Sequence, residues 1–163
     1  MIVVDTSALI SVASVDLLES LLTEYDVHTT ETVHEELEAT AQYEDVHGIA
    51  AQTVLNKIDQ IEIHAVETEL TTSRIDSGEG TTAALTNELE ADFLITDDLR
   101  ALPELQTIVD ARVAISPILL KAFVKRGVLN HDIAEKKLED LVRRRSWLGA
   151  PIYRRAKRLF QNE

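Results

Sequence analysis

Residues 1–10 have the sequence MIVVDTSALI, and this stretch decides the class of fold. Its apolar start ends at Asp5, and a second apolar run, residues 93–96, ends at Asp97 and Asp98. Short apolar runs bounded by polar residues are typical of strands buried on both faces of a parallel sheet. Because ligands bind at the carboxyl ends of such strands, we expect an acidic pocket there. Carboxylates without His or Cys indicate a hard cation such as Mg²⁺ or Mn²⁺.

The rest of the chain alternates predicted strands and helices, which favours a parallel sheet with helices on both faces. Further strands are expected at residues 27–29, 61–65 and 112–115, and helices at about 8–24, 31–41, 49–58, 79–90 and 99–105. From residue 116 onward the pattern is helical, with Ser116 as the expected N-cap before Pro117. We therefore predict one domain, in which an α/β core over residues 1–115 is followed by a basic helical extension over residues 116–163.

Charge is distributed unevenly along the 163 residues, whose net charge is −13. Residues 121–163 contain twelve of the sixteen basic residues and only five acidic ones. This asymmetry indicates a polyanion or an acidic partner at the basic end, although a solvated helical face has the same composition. The acidic remainder, poor in Lys, is typical of the surface of salt-adapted, halophilic proteins.

The composition also excludes several classes of protein. The absence of Cys excludes disulfides, zinc–thiolate sites and a thiol nucleophile, and it fits a cytoplasmic location. No apolar stretch approaches the roughly 18–20 residues of a membrane span, and the N-terminus lacks the pattern of an export signal. The five histidines show no HxH or HExxH spacing, which disfavours zinc hydrolysis. Walker A, GxGxxG and GxSxG patterns are also absent.

Four places in the chain supply candidate ligands for the cation. They are Asp5, the pair Asp97 and Asp98, Glu79 at the start of a helix after Gly78, and the third helical segment with Glu35, Glu36 and Glu38. At about 100° per residue, Val33, Leu37 and Ala41 form the buried stripe of that segment. Glu35 then points to solvent, while Glu36 and Glu38 flank the stripe. We favour Glu36 because it lies nearer the helix start, where the chain leaves a strand end.

Each of these carboxylates has a purely structural alternative. Asp5 and one of Asp97 and Asp98 could act only as helix caps, and Glu79 in a first turn is favoured by the helix dipole. Asp76 is interpreted as a turn residue before Gly78. Their combination favours a metal site, because carboxylates that converge without cationic partners repel each other and a bound cation relieves the repulsion. Such a site supports phosphodiester hydrolysis by two Mg²⁺ or Mn²⁺ ions roughly 4 Å apart.

Several motifs resemble those of PIN-domain proteins. MIVVDTSALI resembles their opening, VHEELE their second acidic motif, and SGEGTTAALTNELEADFLITDDLRAL their third and fourth. The tail, from ISPILLKAFVKRGVL to YRRAKRLF, is similar to the C-terminal helices of an archaeal and bacterial PIN branch of largely unassigned function. The likeness covers nearly the whole chain and is most specific in the third and fourth motifs.

The resemblance implies a three-layer α/β/α fold and a Mg²⁺- or Mn²⁺-dependent ribonuclease, as in VapC-type toxins and RNA-processing PIN nucleases. Carried over by position, the implied ligands are Asp5, Glu36, Glu79 and Asp98, with Asp97 beside them and Thr6 or Ser7 hydrogen-bonded near the metal. A homodimer and a small antitoxin partner are expected on the same basis. The branch often has a basic residue shortly after the paired aspartates, where this chain has Arg100 followed by Ala101.

The basic extension supplies the expected contacts to the RNA backbone. The best candidates are Arg143, Arg144, Arg145, Arg154 and Arg155. Trp147 could stack on a base, but a lone Trp between helices is more often part of the core. Two alternatives remain at this point. One is a non-catalytic PIN-like module that binds nucleic acid or a partner, and the other is a phosphoryl-transfer domain, which the Asp-x-Ser pattern after the first strand disfavours.

Overall fold

The computed structural model describes residues 1–68, 70 and 75–161, and its centre is a five-stranded parallel sheet. The strands are β1 (Ile2–Val4), β2 (Val27–Thr30), β3 (Glu62–His64), β4 (Phe93–Ile95) and β5 (Arg112–Ala114). Their order is β3-β2-β1-β4-β5, with Ile2 opposite both Val27 and Phe93. From the central strand β1, the chain forms β2 and β3 on one side of the sheet. It then crosses over and forms β4 and β5 on the other side. The switch point of the topology therefore lies between β1 and β4, where a ligand site is expected.

Helices cover both faces of this sheet, as predicted. Within the described residues they are α1 (Thr6–Ser14), α2 (Leu18–Glu24), α3 (Glu31–Thr40), α4 (Val46–Leu55), α5 (Ser77–Leu89), α6 (Leu102–Ile108), α7 (Pro117–Lys125), α8 (His131–Arg144) and α9 (Pro151–Gln161), with a short 3-10 helix at Ile58–Gln60. The expected α/β/α architecture with additional C-terminal helices is confirmed.

The core is divided by the sheet because successive side chains of a strand point to opposite faces. Ile2 and Val4 pack with buried residues of α1, α2, α7 and α8, including Phe123, which is fully buried. Val3 points the other way and packs with α5 and α6. The C-terminal helices are thus integrated in the larger core, to which Trp147 also belongs with only 7% of its surface exposed. Of the two roles considered for Trp147, stacking on a base and packing in the core, the structure supports packing in the core.

Three helix boundaries differ from the prediction. The expected helix at residues 8–24 is two helices, because Asp16 adopts a left-handed conformation (φ 58°) between α1 and α2. α4 begins earlier than expected, where the Asp45 side chain accepts a hydrogen bond from the Gly48 amide at 2.8 Å. α6 begins later than expected, since the chain turns immediately after Asp98.

Ser116 occupies the N-cap position before Pro117, as predicted, but its side chain does not cap the helix. Its backbone is already helical (φ −56°, ψ −32°), and its side chain makes no capping hydrogen bond to α7. The hydroxyl donates instead to Asp97 Oδ2 at 2.7 Å. A serine before Pro117 therefore ties the start of the C-terminal extension to the end of β4.

No single helix of the described residues is both long and apolar enough to cross a membrane. α1 and α2 together satisfy the length and composition requirements, but they meet at a bend of 116°.

Candidate active site

A cavity of about 310 Å³ opens at the carboxyl ends of β1 and β4, at the switch point of the sheet. Of the residues that the structure describes, five carboxylates line it: Asp5, Glu36, Asp76, Glu79 and Asp98. They come from the end of β1, from α3, from the start of α5 and from the segment after β4. The sheet topology thus brings together acidic residues that are up to 93 positions apart in the sequence.

Asp5 is the most deeply buried of these carboxylates, with 4% of its surface exposed. It caps α1 by accepting a hydrogen bond from the Ala8 amide at 3.1 Å, and it also accepts hydrogen bonds from the hydroxyls of Ser7 and Thr96. Burial raises its pKa to about 7 in spite of these donors. Asp5 therefore caps α1 and lines the cavity at the same time.

Glu36 lies in the cavity, while Glu35 and Glu38 are exposed on the same helix. The helical geometry excludes Glu35, and the position nearer the helix start favours Glu36 over Glu38. The Thr6 hydroxyl donates a hydrogen bond to Glu36 Oε1 at 2.7 Å, and burial raises the pKa of Glu36. Thr6 follows Asp5 directly, so the start of α1 orients a carboxylate of α3.

Gly78 allows the Glu36 carboxylate to approach the start of α5. A Cβ atom at position 78 would lie 2.3 Å from Glu36 Oε1 and 2.9 Å from Glu36 Cδ, which is closer than non-bonded atoms tolerate. The obstructing atoms belong to the end of a flexible side chain. A larger residue at position 78 would therefore displace the carboxylate and leave the backbone in place.

We expect Gly78→Ala to lower metal-dependent activity by about 100-fold, because a displacement of about 1 Å in a catalytic group has an effect of this size. The thermal unfolding midpoint should change little, since only the Glu36 side chain must move. Steady-state kinetics and melting curves check both parts. If Gly78→Ala lowers activity equally in wild-type and Glu36→Ala backgrounds, displacement of Glu36 is not the cause.

Glu79 and Asp98 both line the cavity, and their side chains form a hydrogen bond with each other. Burial and the hydrogen bond to Asp98 raise the pKa of Glu79 to about 9. Burial alone would raise the pKa of Asp98 as well, but the hydrogen bond from Glu79 and the amides of Ala101 and Arg100 lower it. The opposite directions of the two pKa shifts assign the proton of this hydrogen bond to Glu79, which donates to Asp98.

Asp76 is part of the cavity and not merely a turn residue, which corrects the sequence-based interpretation. It is the N-cap of α5 and forms a capping box with Glu79. The Glu79 amide donates to Asp76 Oδ1 at 2.9 Å, and the Asp76 amide donates to Glu79 Oε2 at 3.0 Å. The sequence Asp-Ser-Gly-Glu carries the signal for this box, because an acidic cap followed three residues later by Glu is its signature.

Asp97 was expected beside the ligands, but its carboxylate is engaged elsewhere. It accepts hydrogen bonds from Ser11 Oγ at 2.5 Å and from the Ser116 amide at 2.6 Å, in addition to the Ser116 hydroxyl. Asp97 is not among the residues that line the cavity. Of the two consecutive aspartates, Asp98 faces the cavity and Asp97 joins β4 to α1 and α7.

Ser7 connects Asp97 to Asp5. Its hydroxyl donates to Asp5 Oδ1 at 2.8 Å and accepts a hydrogen bond from the Asp97 amide at 3.0 Å. The first turn of α1 therefore orients Asp5 through Ser7 and Glu36 through Thr6. Both residues were predicted to form hydrogen bonds near the site, and the structure places them there.

Arg145 has a different position from the other arginines of the extension. It follows α8 directly, is partly buried, and lines the carboxylate cavity. Its charge interacts with Asp97 and Asp5, and its Nε atom is buried without a hydrogen-bond partner among the described residues. No local sequence signal distinguishes it from its neighbours, because only the docking of α8 brings it to the cavity.

The remaining candidate arginines lie on the surface of the extension. Arg143, Arg144, Arg154 and Arg155 are all exposed. Arg143 forms an ion pair with Asp140 on the preceding turn of α8. None of these four lines the cavity.

The donor set of the cavity fits a hard divalent cation. All its acidic donors are carboxylate oxygens, which Mg²⁺ and Mn²⁺ prefer, and among the described residues Arg145 is the one Lys or Arg side chain that lines it. The raised pKa values of Asp5, Glu36 and Glu79 follow from burial of acidic groups, and a divalent ion is the ordinary means of stabilising their charged forms.

These features define an α/β/α protein in which carboxylates that fit a divalent cation converge at the switch point of the sheet. A family model described as PIN domain matches residues 1–162. The chain belongs to the PIN-domain family, whose members are generally nucleases that use divalent metals. A comparison with curated proteins gives no match.

Proposed function

We propose that this PIN domain is a Mg²⁺- or Mn²⁺-dependent endoribonuclease. The observation that carries the proposal is the convergence of Asp5, Glu36, Glu79 and Asp98 on one cavity at the switch point of the sheet. The family assignment supports a nuclease, and the proposal extends it to RNA as substrate.

The four carboxylates are the proposed metal ligands, and different neighbouring groups orient them. Asp5 and Glu36 are oriented by Ser7 and Thr6, and Glu79 is oriented by the capping box with Asp76. When bound, the metal supplies an activated water and neutralises charge on the leaving oxygen. Glu79 and Asp98 would both serve as anionic donors to a bound metal, so Glu79 would have to lose the proton of its hydrogen bond to Asp98.

Arg145 is the proposed contact to the scissile phosphate. A cavity with five carboxylates repels a polyanion, and the guanidinium places one fixed positive charge inside it. Its planar donors match phosphate oxygens, and its buried Nε has a free hydrogen-bonding position. In this role Arg145 orients the phosphate and stabilises the charge that develops on it.

The exposed arginines are proposed to hold the RNA backbone outside the cavity. Changing Arg144, Arg154 and Arg155 together to Ala should weaken RNA binding and flatten its salt dependence by up to about three units of slope. Fluorescence anisotropy over a range of KCl concentrations measures this. Arg112→Ala, at the opposite end of the sheet, is the matched control. An unchanged slope in the triple variant would assign these residues to a solvated face.

A toxin role is part of the proposal, with a small antitoxin and a second copy of the chain as partners. Support comes from exposed apolar side chains in the segment around His47, which lines the cavity: Tyr43 and Ile49 are 67% and 66% exposed. Light scattering after size exclusion tests the homodimer. Co-purification with the product of an adjacent small gene tests the antitoxin.

Cleavage of a fluorescent single-stranded RNA in Mn²⁺ tests the nuclease, with EDTA as metal-free control and the same sequence as DNA for comparison. The assay is run in low and in multimolar KCl because the surface is strongly acidic. We expect Glu36→Gln to lower cleavage at least about 100-fold and Glu35→Gln, one residue away but exposed, to leave it unchanged.

The outcomes separate the alternatives. Metal-dependent cleavage lost in Glu36→Gln and kept in Glu35→Gln supports the proposal. Folded wild-type protein that binds RNA but cleaves neither RNA nor DNA in any salt supports the non-catalytic binding module. Preferential cleavage of DNA would support nuclease activity but contradict RNA as the substrate.

A further inference from the structure

A second group of possible metal ligands lies away from the carboxylate cavity, at the β2–β3 edge of the sheet. It consists of His28 on β2 and of Glu62 and His64 on β3. In the parallel register His28 is opposite Glu62, and His64 follows two residues later, so all three side chains point to one face. That face carries α5, since Thr30, two residues after His28, contacts Thr81 of α5 at 3.0 Å. None of the three lines the carboxylate cavity.

The three donor atoms are spaced as in a tetrahedral metal centre. His28 Nδ1 lies 2.9 Å from His64 Nε2 and 3.2 Å from Glu62 Oε2, and the last two atoms are 3.8 Å apart. Donors at about 2.0–2.1 Å from a tetrahedral Zn²⁺ are separated by about 3.3 Å. The observed separations bracket this value, so small side-chain rotations would form three bonds to one ion.

The surroundings of His28 match those of a metal-bound imidazole. On the far side of the ring, His28 Nε2 lies 3.0 Å from Asp26 Oδ2, although the contact is not aligned as a hydrogen bond. Metal-ligating histidines generally present their second nitrogen to a carboxylate, which fixes the tautomer and orients the ring. With a proton on Nε2, the lone pair of Nδ1 points toward Glu62 and His64.

The burial of the cluster allows an ion to enter and to stay. The His28 side chain is only 5% exposed, whereas His64 and Glu62 are 28% and 68% exposed. One ligand is therefore fixed in the interior and two lie on the open side, where a water molecule can supply the fourth position. Imidazole nitrogens favour Zn²⁺ and related transition metals over Mg²⁺, so the cluster differs in ligand chemistry from the cavity.

We propose that His28, Glu62 and His64 form a second metal site for Zn²⁺ or a similar transition-metal ion, with Asp26 as the positioning residue of His28. A bound ion would cross-link the three-residue edge strand β3 to β2. Its existence does not depend on the nuclease proposal, because it shares no residue with the carboxylate cavity.

The test uses the full-length chain without an affinity tag, treated with chelator and then kept in excess Mg²⁺ to occupy the carboxylate cavity. Co²⁺ is titrated in and the visible absorption of tetrahedral Co²⁺ is recorded, after which Zn²⁺ is added to displace it. We expect one equivalent per chain. His64→Asn should weaken binding by about 100-fold or more, and Asp26→Asn by about 10-fold.

His34→Asn is the matched control, because His34 also lies near a glutamate, Glu38 at 3.8 Å, but on an exposed face of α3. Zn²⁺ should raise the melting temperature of the wild type and of His34→Asn, and not that of His64→Asn. Mn²⁺-dependent RNA cleavage should be the same in His64→Asn as in the wild type, which separates this site from the nuclease.

The proposal is overturned if the wild type takes up Co²⁺ only at millimolar concentrations, or if His64→Asn and Asp26→Asn bind it as tightly as the wild type. In either case the cluster is a hydrogen-bonded pair of stacked histidines, whose ring centroids lie 5.1 Å apart. His64→Asn is preferred to a change at His28 because a buried substitution could prevent folding.

Discussion

Asp5→Asn should abolish metal-dependent RNA cleavage, lowering kcat/KM at least about 1,000-fold, while the protein stays folded. The reduction is expected because Asp5 is the proposed ligand at the end of the central strand, and a neutral amide is a poor ligand for Mg²⁺ or Mn²⁺. The fold should persist because Asn has the same shape and can still accept the hydrogen bond that the Ala8 amide donates to position 5. Burial already disfavours the charged form of Asp5, whose pKa is raised to about 7.

Kinetics in Mn²⁺ and thermal melts in EDTA measure the two parts separately. Glu35→Gln, an exposed acid neutralised in the same way, controls for the change in net charge. In EDTA the melting temperature of Asp5→Asn should match or exceed that of the wild type, since a buried charge is removed. Cleavage retained within about tenfold in a folded Asp5→Asn protein would exclude Asp5 from the metal site.

Asp97→Ala should have the largest effect on stability of any change at the site, lowering the free energy of unfolding by about 3–5 kcal/mol. The Ser11 hydroxyl and both the amide and the hydroxyl of Ser116 would lose their acceptor in the protein interior. The partly buried Arg145 would also lose one of the two aspartates that stabilise its charge. Urea unfolding in EDTA measures the change without any contribution from bound metal.

Asp98→Asn is the matched comparison for Asp97→Ala. Asp98 faces the cavity, so its neutralisation should abolish cleavage and change stability by no more than about 1 kcal/mol. The opposite pattern would assign the ligand role to the first aspartate: a stable Asp97→Ala protein without activity, and an active Asp98→Asn protein.

The fold and most of the cavity could be predicted because their signals are local. Apolar runs that end in carboxylates place Asp5 and Asp98 at strand ends, and a single helical turn decides between Glu35 and Glu36. The break at Asp16 escaped prediction because the apolar periodicity continues across it, from Leu9 through Leu21. A non-glycine residue in the left-handed region leaves little trace in such a pattern.

Features that depend on the docking of distant elements could not be predicted. Asp97 and Asp98 are equivalent in the sequence, and only the position of Ser116 and Ser11 separates their roles. Arg145 belongs to a run of three arginines, and the packing of α8 on the core selects it for the cavity. The cluster of His28 with β3 likewise depends on strand register, and its ligands have no recognisable spacing in the chain.

The place of Arg145 in the chain has a consequence for synthesis. The five described carboxylates of the cavity all precede residue 99 in the sequence. Arg145, in contrast, is synthesised only after α7 and α8. Ser116, whose hydroxyl donates a hydrogen bond to Asp97, is also synthesised after these five carboxylates. A growing polypeptide on the ribosome thus carries the acidic groups long before the cation that completes the cavity. Under the proposed function, the cavity cannot hold a phosphate through Arg145 until α8 has been synthesised and has docked on the core.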